Sequence, residues 1–156
     1  MAHIHEKIDF TASVYVVREN KVLLHKHKKL GAWLPPGGHI ELDEDPNEAA
    51  LREVKEETGL DIELIGNPTA GLPAMELRKD ILPPKFINRH FFDKAKGDHE
   101  HVDLIYFGKA KTSGVRHEIE GGEIGWFTRE EIERNDMGIW PDIRAYALVG
   151  LKELAS

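Results

Sequence analysis

Glu53, Glu56 and Glu57 are spaced three and four residues apart, an arrangement that stacks side chains on one face of a helix. Three carboxylates packed together with one neighbouring cation, Arg52, repel one another. Glu53 and Glu57 form a like-charge i,i+4 pair, which costs stability unless something binds. A hard divalent cation with oxygen ligands, Mg²⁺ or Mn²⁺, would relieve that repulsion. A solvated charged helix face is the plainer alternative, although such faces usually interleave acids and bases. The spacing alone leaves both open.

The element that must carry these carboxylates is a helix over 46–58. Asp45 suits the N-cap, Pro46 the first helical position and Glu48 the capping-box partner, and Gly59 supplies a left-handed stop. At about 100° per residue, Ala50, Leu51, Val54 and Thr58 share one side and the three glutamates the other. Trp33-Leu34-Pro35-Pro36-Gly37-Gly38 leads into the segment. By itself it reads as an ordinary Pro-Gly turn. Next to an acidic helix, its consecutive glycines allow close approach of backbone to a ligand, and a Gly37 or Gly38 carbonyl could complete an oxygen shell.

Gly38-x5-Glu44-x7-Arg52-Glu53-Val54-x-Glu56-Glu57-x-Gly59-Leu60 fills every fixed position of the Nudix box, and the chain resembles the Nudix (MutT-type) hydrolase superfamily. Pro36-Gly37-Gly38 and the later Glu123-x-x-Trp126-Phe127 are similar to the wider superfamily. The resemblance implies an α/β/α sandwich around a mixed β-sheet and hydrolysis of a diphosphate linkage in a nucleoside diphosphate joined to another group. Within it, Glu53, Glu56, Glu57 and Gly38 would hold Mg²⁺, with Arg52 pairing to Glu53 or Glu44 as a support. The general base varies in the superfamily between a box glutamate and a loop carboxylate. Glu118, Glu120 and Glu123 are the loop candidates here, and Glu120, preceding Gly121-Gly122, is the first choice.

A second cluster, His99-Glu100-His101-Val102-Asp103, would point His99, His101 and Asp103 to one side if extended. A polar strand face, a metal site and a substrate contact all fit that pattern. Gly37, His39, His99, His101 and Asp103 are the candidate substrate-binding residues. Phe86, Phe91, Phe92, Tyr106 and Phe107 could include a base-stacking ring, although aromatic strand residues are more often core.

Strands are expected over 11–18, 21–27, 61–65, 85–94, 102–111 and 123–127. Glu19-Asn20 makes the first turn, and 85–94 pairs antiparallel with 102–111. Residues 67–84, rich in Pro and Gly, are irregular. Thr128-x-x-Glu131 opens a short helix. A final helix from Trp140-Pro141 turns Ile143, Ala147, Leu151 and Leu154 inward.

The 156 residues fit one domain, residues 1–156. No long uncharged apolar run or signal-peptide profile is present, and the chain has no cysteine, so a cytoplasmic setting without disulfides is expected. The net charge of −7 argues against nucleic-acid polymers as partners, but not against a small nucleotide screened by a metal ion. A homodimer fits the resemblance.

Three function classes follow. The first is a Mg²⁺-dependent nucleotide diphosphatase. The second is a hydrolase of ADP-ribose, a nucleotide sugar, a dinucleoside polyphosphate or an RNA 5′ end. The third is a non-catalytic Nudix-like binding domain, which would not need all three carboxylates. Isoprenoid diphosphate isomerisation needs a cysteine in the resembling enzymes.

Overall fold

Two eleven-residue strands form the spine of the sheet. β1 (Ile8–Arg18) and β7 (Glu100–Ala110) run parallel, with Ile8 opposite Glu100 and Val17 opposite Lys109. The computed structural model describes residues 4–68, 71–92, 99–115 and 123–156. Among the described residues, every other strand pairing in the sheet is antiparallel. β2 (Lys21–Lys26) pairs with β1, and β3 (Trp33–Leu34) and β8 (Ile124–Thr128) flank β2. β4 (Gly37–His39) pairs with β1, while β5 (Ile62–Leu64) and β6 (Phe86–Phe91) pair with β7. The sheet is therefore mixed.

Alternation along β1 feeds two cores. Ala12, Val14 and Val16 pack with Ala49, Ala50 and Val54 of α1 (Pro46–Thr58). Tyr15 and Val17 pack on the other face with Ile132 of α2 (Arg129–Arg134) and Ala147, Leu151 and Leu154 around α3 (Pro141–Glu153). Each core is sealed by the period-two side-chain alternation of a strand buried on both faces. The result is the expected α/β/α sandwich.

Local chemistry explains the elements. Asp45 and Glu48 form a reciprocal capping box at α1, and Gly59 closes the helix at φ 76°. Thr128 and Glu131 do the same at α2. Glu19 and Asn20 both have positive φ, the geometry of a two-residue hairpin turn. Two expectations change. The run 33–38 is strand as well as turn, because Gly37 and Gly38 pair with Ser13 and Ala12. On α1, Leu51 is 40% exposed, whereas Glu53 is 4% exposed. The helix rolls so that Ala49 and Ala50 meet the sheet and Glu53 meets β4, which turns Leu51 outward.

Candidate active site

α1 packs on one face of the sheet, yet its acidic side opens into a cleft on the other. Gly38 makes this crossing feasible: a Cβ at that position would collide with the Glu53 carboxylate. A Cβ at Gly37 would strike the backbone and hydroxyl of Ser13. The absence of side chains on β4 thus lets the helix carboxylates come past the strand into a cleft of about 450 Å³. Glu53, Glu56 and Glu57 line it together with Gly37 and Gly38.

Arg52 organises two of the three carboxylates. Its guanidinium donates two bonds to Glu44 (2.9 and 2.6 Å), one to Glu53 (2.9 Å), one to Glu56 (3.2 Å) and one to the His39 carbonyl (3.0 Å). Both expected partners are engaged at once, and Glu56 as well. A planar five-donor fork can do this where an ammonium cannot. The Arg52 hydrogen bonds hold Glu44 below the usual carboxylate range, and those that Glu44 and Glu53 accept raise the guanidinium's own affinity for its proton.

Glu57 is held separately. One oxygen accepts from the Gly37 N–H at 2.8 Å, and the other lies 3.2 Å from His25 Nε2. The like-charge repulsion expected from the sequence is thus partly relieved by Arg52 and His25. The donor set remains three carboxylates beside a glycine backbone, hard oxygen ligands that fit a Mg²⁺-type cation.

Elsewhere in the cleft, Thr11 and Ser13 of β1 donate hydroxyl hydrogen bonds to Asp103 of β7 at 2.9–3.0 Å. Burial pushes the Asp103 carboxyl up, and those hydroxyls oppose the shift. His39 and His101 also face the cleft, with ring centroids 5.1 Å apart. Burial, followed by the charges of His39, His90 and His99, pushes His101 down to about 4. His99 turns to Asp9 and the Glu6 carbonyl near the start of β1, with its ring centroid 5.4 Å from that of His101.

Of the candidate stacking rings, Phe91 and Phe92 line the cleft. Tyr106 and Phe107 are buried in the two cores, and Phe86 packs against Tyr146 at 5.1 Å. Glu118 and Glu120 lie outside the described residues. Glu123 pairs with Lys26 at 3.6 Å.

Sequence reasoning missed His25, His27, Asp9 and Trp140. His25 and His27 stand two apart on or next to an expected strand, a spacing that already placed them on one face. Trp140, the N-cap of α3, is 45% exposed at the cleft rim. Asp9 carried no local signal.

The family model of the NUDIX domain matches residues 7–148. A NUDIX family hydrolase from Clostridium perfringens has a similar structure, with TM-score 0.78 and 30% identity over 94% of this chain and 97% of that one. A probable DHNTP pyrophosphohydrolase of Lactococcus lactis is 27% identical over 129 residues, 81% of this chain and 67% of that protein. The m7GpppN-mRNA hydrolase NUDT17 of Xenopus laevis is 42% identical over 71 residues, 42% of this chain but 24% of the frog protein. The matched part thus spans about a quarter of that longer relative. An acidic helix face threaded past a glycine strand, within a sandwich matched along nearly its whole length, makes this chain a member of the Nudix hydrolase family.

Proposed function

We propose that the chain hydrolyses the diphosphate linkage of a nucleoside triphosphate or a related nucleoside diphosphate derivative. Glu53, Glu56, Glu57 and the Gly38 carbonyl would hold Mg²⁺, with Mn²⁺ as a substitute. A divalent cation there supplies charge neutralisation at phosphorus and acidifies water. The observation that carries this reading is the convergence of the three box carboxylates on one small-molecule-sized cleft with aromatic walls.

The chain's own residues have distinct tasks. Arg52 fixes Glu53 and Glu56, while the Gly37 N–H and His25 fix Glu57, so the carboxylates need little reorganisation. Phe91, Phe92 and Trp140 offer apolar faces for a nucleobase, and His39, His101 and Asp103 offer polar edges near the phosphates or sugar. His99 would act through Asp9 and not by direct contact. Glu120 is the proposed general base.

The test is a panel of nucleoside triphosphates, ADP-ribose, nucleotide sugars, dinucleoside polyphosphates and 5′-triphosphate RNA, each with Mg²⁺ or Mn²⁺. Products are identified by chromatography. A triphosphate or compact derivative is expected to turn over fastest. Failure of both ions to support hydrolysis of any member would favour a binding role instead.

A further inference from the structure

Asp9, His39 and His101 come from three different strands, and each is buried, at 1%, 8% and 7% exposure. The register explains their meeting. Asp9 of β1 lies beside His101 of the parallel β7, and His39 of β4 lies opposite Thr11, two residues further along β1. One ligand-type atom from each lies within 4.8 Å of the other two. His39 Nε2 is 3.3 Å from Asp9 Oδ2. Donors around a tetrahedral ion at about 2.0–2.2 Å are about 3.3–3.6 Å apart.

The surroundings orient these groups. Asp9 Oδ1 accepts from the His5 N–H at 2.8 Å, which turns Oδ2 toward the imidazoles. His99 Nδ1 is 3.0 Å from the Glu6 carbonyl oxygen. A carbonyl can only accept, so Nδ1 carries a proton and Nε2 faces Asp9 Oδ2 at 3.1 Å. Two imidazole Nε2 atoms therefore converge on one carboxylate oxygen. Backbone hydrogen bonds to the far side of ligating carboxylates and imidazoles are the usual supports of a metal site.

From this geometry we propose a second cation site, formed by Asp9, His39 and His101 with His99 beside Asp9, selective for a borderline transition ion such as Zn²⁺ or Co²⁺. Two nitrogen donors and one carboxylate suit those ions, whereas Mg²⁺ prefers an all-oxygen shell. The site is distinct from the box carboxylates, and with an ion bound His39 and His101 would serve that ion and not touch the substrate directly. It would clamp the starts of β1 and β7 to the end of β4, the strand whose His39 carbonyl accepts from Arg52. Its ion would therefore stiffen the glycine strand on which Glu53 rests. An ordinary imidazolium–carboxylate network is the competing arrangement.

The test uses the chelator-treated 156-residue protein in saturating Mg²⁺, which occupies oxygen sites. Co²⁺ is titrated while the visible absorption of a four-coordinate centre is followed, and Zn²⁺ is added in parallel thermal melts. One equivalent of Co²⁺ should give the band, and Zn²⁺ should raise Tm. Asp9→Asn and His101→Gln should each weaken Co²⁺ binding by about tenfold or more and abolish the Zn²⁺-induced rise. Glu57→Gln should preserve both signals. Circular dichroism shows whether each variant is folded, and His101→Gln, close in shape to the native residue, guards against misfolding of Asp9→Asn. No band in the wild type, a band undiminished in both variants, or a band lost in Glu57→Gln instead would overturn the site.

Discussion

Around α1, Arg52 ties together Glu44, Glu53, Glu56 and the carbonyl of His39, none more than 13 residues away in sequence. At the start of β1, Asp9 meets His99 across 90 residues. The first assembly is shaped by a capped helix and two glycines, so its geometry follows from local conformation. The second exists only because β1 and β7 run parallel in one register, and a slip of one residue would turn its side chains to the opposite face. The contrast teaches that substitutions in the acidic region should act on chemistry with the fold intact. Those in the histidine region should act on ion binding and on how strands are held together.

The largest effect that could break this contrast is at Glu57. Glu57→Gln keeps the shape and removes the charge of a proposed Mg²⁺ ligand. Loss of several kcal/mol of transition-state stabilisation corresponds to a fall in kcat of about 10²-fold or more. Steady-state kinetics with an unchanged Tm would support a local catalytic role, and near-normal Mg²⁺-dependent turnover would refute it.

Gly38→Ala comes next and tests whether the glycine strand is what admits Glu53. The added Cβ collides with the Glu53 carboxylate, so activity should drop with a stability loss of about 1–3 kcal/mol. Denaturant melts and kcat measured together check both. An alanine variant with wild-type values would mean that β4 adjusts freely.

Arg52→Lys retains the charge but not the fork. Because four acceptors depend on that fork, a fall in activity of about 10–100-fold is expected. Rescue by lysine to wild-type rates would reduce Arg52 to a simple counter-charge.

The smallest effect is a pH dependence. Glu44 faces Arg52, Asp45 and the Glu41 N–H, and Arg52 lowers its pKa in the folded state. A depressed carboxylate contributes stability that is present above its unfolded value near 4.5 and lost as pH falls through the lower folded value. Glu44→Gln should therefore lower Tm slightly at neutral pH, where the contribution is fully present, and flatten the decline of Tm below about pH 4.5, where variant and wild type converge. An unchanged acid limb would show that the pair does not contribute there.

Much of this was legible along the chain. The caps of α1 and α2, the strand alternation and the apolar stripe of α3 follow from neighbours a few residues apart, where periodicity and hydrogen-bond chemistry dominate. The acidic trio was legible for the same reason. Leu51 was misread because periodicity gives an apolar arc but not its rotation against the sheet, and the burial of Glu53 set that rotation. The spread of Phe91 and Phe92 to the cleft, Phe86 to Tyr146 and Phe107 to the core was also closed to pattern reading. Identical residue types on alternating strands reveal their surroundings only once both faces are covered.

The sequence by itself determined the hydrolase family motif, the helix that bears it and the charge and spacing of its carboxylates, since all of these are set by bonds and hydrogen bonds within about twenty residues. Tertiary structure alone decided that the acidic face passes a glycine strand into a cleft, that His25 supports Glu57, and that Asp9 joins His39 and His101. Those meetings depend on sheet register and strand direction, which arise when distant segments exclude water together and which no short stretch of chain encodes.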